Sequence, residues 1–136
     1  MTKQSYFQQR DLNWILGLAV KKMLQSYLLL TLAIILEVAG TMLLPLSNNF
    51  TKLIPTFGLT IFYIGSFYCL TFSLKVLPIS IVYASWSGMG IFLITILGYF
   101  IYRQTVNWQV AIGLLLIITG VILVNIYSLS NYKTPL

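Results

Sequence analysis

Along the chain, a polar and basic opening gives way to four long runs of apolar residues, covering approximately residues 27–46, 54–74, 79–101 and 108–127. Each approaches the roughly 20 residues that a helix needs to cross a hydrocarbon core about 30 Å thick, so the pattern predicts four transmembrane helices. Polar and turn-forming residues divide them. Ser47, Asn48, Asn49 and Lys52 follow the first run, Lys75 and Pro78 separate the second from the third, and Arg103, Gln104, Thr105 and Asn107 precede the fourth. Tyr27, Tyr102, Trp108 and Tyr127 stand near the ends of the runs, where amphipathic rings favour the headgroup level. Connections this short predict that consecutive helices are antiparallel neighbours. The chain thus divides into a polar N-terminal extension (1–26), a four-helix membrane domain (27–128) and a short C-terminal tail (129–136).

The extension holds half of the basic residues and only a short apolar patch, residues 12–20, too short to span. No small-residue cleavage site follows that patch before Lys21 and Lys22, so it makes a poor secretory signal. Three readings stay open: an interfacial helix, a disordered tail, or a stretch ahead of a natural start at Met23. Charge makes the choice matter. With both termini on one side, that side also holds the second loop. Counted from Met23, it carries Lys75 and Lys133 against Lys52 and Arg103, a balance that sets no orientation. Lys3, Arg10, Lys21 and Lys22 make the tally six against two, which predicts that the long form inserts with its termini inside.

Composition agrees with the spans and narrows the chemistry. Of the 136 residues, 59% are hydrophobic and 7% charged, against about 25% charged in a soluble domain. So few charges cannot coat a water-facing globule. The net charge of +6 comes from residues that punctuate apolar runs, with Lys21 and Lys22 as the one adjacent pair. That is membrane-flanking charge, and nucleic-acid binding, which needs a clustered basic face, is not expected. There is no histidine, and Cys69 is the single cysteine. Histidine and cysteine zinc sites, a histidine-based triad and an internal disulfide are therefore excluded. Asp11 and Glu37 are the only acids, and one lies in the extension, so a hydrolase's paired carboxylates are missing too. An enzyme is not expected, and nothing calls for a metal or cofactor.

Glu37 is the exception inside the spans. An ionised carboxylate at the centre of a membrane helix costs about 2.5–3.5 kcal/mol on insertion scales, and such residues mark functional sites by default. No basic residue lies inside a span to pair with it. The blander reading is a protonated acid making an interhelical hydrogen bond. Ala33, Glu37, Gly40 and Thr41 follow helical spacing, so the acid sits on a face of small residues, which suits a cavity and close helix packing equally. Tyr63 and Phe67 share one face of the second span, and Tyr83 and Trp86 one face of the third. Such rings often only pack. Around one carboxylate, they would also supply what a lipophilic cation needs: ring faces that attract positive charge and an acid that neutralises it.

Three motifs stand in order: Glu37-Val38-Ala39-Gly40-Thr41, then Phe50-Thr51-Lys52-Leu53-Ile54-Pro55, then Tyr83-Ala84-Ser85-Trp86-Ser87-Gly88-Met89-Gly90. In order and spacing they resemble the small multidrug resistance family, over residues 27 to about 128. The resemblance implies a proton-coupled exporter of the cell inner membrane, working as an antiparallel dimer of four-helix subunits. It implies that Glu37 is the shared proton and substrate site, that Tyr63, Phe67, Tyr83 and Trp86 line an aromatic pocket, and that Ser87 belongs to it. Gly88 and Gly90 would mark a bend in the third helix, and Gly113 and Gly120 a helix-4 face packed on the second subunit. Glycine at 40, where guanidinium exporters of the family carry tryptophan, points to the multidrug, quaternary ammonium branch. Pro45 replaces the family's common lysine, and Asn48 and Asn107 replace loop acids, which bears on loops and gating more than on the pocket.

The expected partners are therefore a small cationic substrate, protons, the bilayer and a second subunit, either a copy of this chain or a related one. Two other classes stay open: a guanidinium or polyamine exporter of the same fold, and a non-transporting or lipid-flippase subunit of a heteromer.

Overall fold

A computed structural model describes the backbone of residues 3–131 and the side chains of residues 13–128. Four helices, α1 (Lys3–Leu43), α2 (Leu53–Ser73), α3 (Ile79–Tyr102) and α4 (Trp108–Asn131), are joined by short connections. All four are long and apolar enough to cross a membrane, and the described residues contain no strand. The protein is an all-α membrane protein, as the hydropathy pattern predicts.

Three of the four helices start and stop close to the polar breaks in the sequence. At the first break, Pro45 opens a single 3₁₀ turn, Pro45–Ser47, and Asn48, Asn49 and Phe50 then follow at φ 48°, 55° and 65°. Asparagine enters this left-handed region far more readily than most residues, whereas Phe50 does so against its own preference. Ser47 holds the turn closed: its hydroxyl donates to the Leu44 carbonyl at 2.7 Å and accepts from the Phe50 amide at 3.3 Å. At the second break, Pro78 carries no amide proton to continue a helix, and its carbonyl accepts the first amides of α3, from Ile81 and Val82. Arg103 ends α3 at φ 52°.

The first helix departs from expectation. It begins by Lys3 rather than near residue 27, and runs unbroken through the extension into the first span. At 1.5 Å per residue its 41 residues make a rod of about 60 Å, roughly twice the hydrocarbon thickness. Residues 13–25 are all exposed, including Trp14, Ile15 and Leu16. At the other end, α4 reaches Asn131, so residues 129–131 of the expected tail are helical; residues 132–136 lie outside the described ones.

The arrangement of helices also corrects one expectation. Consecutive helices are not all close neighbours: α1 packs on both α2 and α3, whereas α2 and α3 share no extensive interface. Leu30, Ala33, Ile34 and Val38 of α1 form the core with Cys69 and Leu70 of α2, Leu77 of the connection and Val82 of α3. A short loop fixes where a helix starts, not what its flank touches, and here the small residues of α1 draw both partners to it. Among the described residues the fourth helix has its one extensive interface with α3, and its spanning segment contains no buried residue.

Candidate functional site

Small residues bring α2 against α1 along the whole seam. A Cβ on Gly40 would meet the Tyr63 ring and Phe62 at 3.3 Å, one on Gly58 would meet Leu43 at 3.1 Å, and one on Gly65 would meet Leu36 at 3.2 Å. Such spacing lets the helix backbones approach, which is what drives association where lipid is as apolar as leucine. Two buried hydroxyls use the closeness: Ser66 donates to the Ala33 carbonyl at 2.7 Å and Ser73 to the Ser26 carbonyl at 3.0 Å.

Glu37 lies one turn before Thr41 on this seam and is half-buried. The Thr41 hydroxyl donates to Glu37 Oε1 at 2.9 Å, and the same hydroxyl meets the Tyr63 hydroxyl at 2.8 Å. Threonine has one hydroxyl proton, so with Thr41 donating to Glu37, Tyr63 is the donor in the second bond. On its other side Glu37 faces α3. It lines a pocket of about 180 Å³ with Trp86, Ser87, Gly90, Ile91 and Ile94. A Cβ on Gly90 would stand 3.1 Å from Glu37 Oε2, so the bare backbone of α3 makes the room in which that oxygen sits.

The aromatic residues collect around Trp86. Its ring lies 6.0 Å from Phe67 and 5.9 Å from Tyr83, both tilted, and these rings border a second pocket of about 260 Å³ between α2 and α3. Trp86 thus belongs to both pockets. Phe67 in turn also lines a larger groove of about 540 Å³ with Tyr63 along α2. Tyr83 is 66% exposed and Phe67 54% exposed, so much of this aromatic wall looks outward from the single chain. Among the described residues, the one buried side-chain polar atom without a hydrogen-bond partner is Trp86 Nε1. Ser87 is committed locally, donating to the Tyr83 carbonyl at 2.8 Å.

The sequence-predicted residues therefore fall into groups. Glu37, Trp86, Ser87 and Gly90 share one pocket; Phe67 and Tyr83 join through Trp86; Tyr63 joins through Thr41. Gly88 serves a different contact. A Cβ there would fall 2.4 Å from Val121 Cγ2, so Gly88 is where α4 presses into α3, and α3 continues as one helix through both glycines. Gly113 and Gly120 face open space, with nothing within 4 Å of an added Cβ.

Sequence reading passed over several participants. Thr41 was visible only as a small residue on the face of Glu37. Its i, i+4 spacing from an acid was a usable signal for a hydrogen bond. Ile91 and Ile94 gave none, being aliphatic residues in an aliphatic run. Neither did the polar fastening of α4 to α3, where Asn125 donates to Ser85 at 2.9 Å and the Ser80 and Ser128 hydroxyls meet at 2.7 Å.

The model of the Small Multidrug Resistance protein family matches residues 25–117. The chain is 46% identical over 101 residues to an uncharacterized membrane protein, YvaE, of Bacillus subtilis, covering 74% of this chain and 85% of that one. It is 40% identical over 108 residues to the multidrug transporter EmrE of Escherichia coli, covering 79% of this chain and 98% of EmrE. It is also 39% identical over 105 residues to the quaternary ammonium compound-resistance protein QacG of a Staphylococcus strain, covering 77% and 98%. The relatives named here for a function are a transporter and a resistance protein, not enzymes. With its four spanning helices, the chain is a multi-pass integral protein of the cell inner membrane and belongs to the small multidrug resistance family of transporters.

Proposed function

We propose that the chain is a proton-coupled antiporter that exports lipophilic, quaternary ammonium-type cations, with protons and cation competing for Glu37. The observation that carries this reading is the shared pocket: the one acid within the spans lines the same cavity as Trp86, which is itself flanked by Phe67 and Tyr83. A ring face attracts a cation by about 0.5–2 kcal/mol, more as water is excluded, while the carboxylate neutralises its charge. A carboxyl group that holds a proton offers the cation no negative charge. Proton and substrate therefore exclude each other, and that exclusion is the coupling.

The site is a half site. A pocket of about 180 Å³ falls below the roughly 300 Å³ from which sites for drug-sized ligands begin, and its aromatic wall stands open. A second four-helix subunit, inserted the opposite way up, completes it and supplies the inverted repeat that larger transporters carry in one chain. The outward face of α4, with Gly113 and Gly120 bare, is the surface on which we place the dimer contact. A dimer presents a pair of Glu37 carboxyls, so exchange of both protons for one monovalent cation moves net charge. Each charge contributes about 2.3 kcal/mol per 100 mV of potential, and each proton about 1.4 kcal/mol per pH unit.

The test is pH-gradient-driven uptake of tetraphenylphosphonium or methyl viologen into proteoliposomes holding this chain alone, with Glu37→Gln alongside. Uptake by wild type and its loss in the variant is the expected result. Well-folded wild type that takes up neither cation would sink the self-sufficient reading and turn attention to a second subunit.

A further inference from the structure

The two oxygens of the Glu37 carboxylate have different surroundings. Oε1 is fixed: it accepts the Thr41 hydroxyl at 2.9 Å, and Thr41 in turn accepts the Tyr63 hydroxyl at 2.8 Å. The far end of this chain is set by the backbone, because Gly40 has no side chain to keep the Tyr63 ring away from α1. Oε2 takes no hydrogen bond among the described residues, and it is not sealed off, since among them Trp86 Nε1 is the one buried side-chain polar atom left without a partner. It stands over Gly90, in the pocket that Trp86 and Ser87 line.

From this geometry we infer that Thr41 is a positioning residue: with Tyr63 behind it, Thr41 locks Oε1 so that Oε2 alone is presented to the exchanging proton or cation, over the space Gly90 leaves open. The inference rests on the reading of Glu37 as the exchange site and adds which atom does the exchanging. Without the lock, the carboxylate rotates about its terminal torsion, which is broad and twofold, and presents either oxygen or neither. The seam between α1 and α2 thereby acts on the pocket between α1 and α3. Gly90 decides what can reach Oε2. A methyl group at 90 would sit at 3.1 Å and must push the oxygen or cover it.

The experiment uses the full chain in lipid with a ¹³C label in the Glu carboxyl, read by solid-state NMR, together with tetraphenylphosphonium binding. Glu37 is the one glutamate in the sequence, so its resonance needs no assignment. Thr41→Val removes the donor and keeps the shape. It is expected to move the carboxyl resonance and to weaken binding about tenfold, the low end for a hydrogen bond to a charged group. Thr41→Ser, which restores the hydroxyl, is expected to return both to wild type. Tyr63→Phe leaves the seam filled and cuts only the far link, so it should move the resonance the same way by less; it serves as the readout where Thr41→Val fails to fold. Gly90→Ala is expected to weaken tetraphenylphosphonium far more than the smaller tetramethylammonium. An unmoved resonance in the folded hydroxyl-deficient variants, or equal weakening of large and small cations by Gly90→Ala, overturns the assignment. The outcome is separable from that of the function. Glu37→Gln proteoliposomes that still transport would remove the exchange site, while the carboxyl resonance would still report whether Thr41 holds one oxygen.

Discussion

The seam between α1 and α2 and the outer face of α4 draw on the same residues, aliphatics interrupted by glycine, yet one is closed within the chain and the other is not. In the seam, Ala33, Ser66 and Ser73 are at 0% exposure, and each glycine of the pair Gly40 and Gly65 has a neighbour against the site of its missing Cβ. On α4, Gly113 and Gly120 have nothing within 4 Å of an added Cβ, and among the described residues the helix's one extensive interface is with α3. The contrast teaches that glycine in a membrane helix is read by what fills the space above it. Where α2 fills it, glycine is part of one subunit's fold; where nothing in the chain fills it, as at Gly113 and Gly120, the backbone is left bare, and it is there that we propose the dimer contact.

The largest effect that would break this comparison belongs to the seam. Ala33→Leu enlarges a side chain that is wholly buried, next to the carbonyl that receives Ser66 at 2.7 Å. Overpacking of this kind costs about 1–3 kcal/mol or more, so a sharp fall in the fraction of protein that survives heating as a single species in size-exclusion chromatography is expected. Gly88→Ala tests the boundary between the regions, because its methyl would fall 2.4 Å from Val121. The expected cost, again about 1–3 kcal/mol, should be largely returned by adding Val121→Ala; absence of rescue would mean that this contact does not seat α4. Gly120→Leu should leave the thermal midpoint of the isolated subunit unchanged and lower association between subunits measured by energy transfer in liposomes. Unaltered association would remove that face from the dimer contact. Smallest is Asn125→Ala, which breaks the bond to Ser85; interhelical bonds of this kind contribute about 0.6 kcal/mol on average within membranes, and a loss above about 1.7 kcal/mol would show a larger role for Asn125.

The α1 helix shows where hydropathy stops being informative. The three later spans were legible to within a few residues, because Pro78, the polar residues of the loops and the interfacial rings punctuate them. The start of α1 was not. Hydropathy reports which residues lipid accepts, whereas helix propagates wherever adjoining residues allow it once a turn exists, and the extension contains no proline and one isolated glycine, Gly17. The apolar patch too short to span is thus one stretch of a longer rod.

The site divides in the same way. The sequence by itself determined that one acid would lie among apolar spans, that aromatic residues would share helix faces, and that histidine-based chemistry and a disulfide within the chain were out of reach, since all of these depend only on residue type and helical period. Tertiary structure alone decided that Tyr63 reaches Glu37 through Thr41 rather than joining its pocket, that Gly88 seats Val121 while Gly90 makes room for the acid, and that α1 packs on both α2 and α3 while these two share no extensive interface. Those outcomes depend on which small residue faces which neighbour across a seam. That pairing is a matter of how closely two backbones approach, and no periodicity along one strand of sequence encodes it.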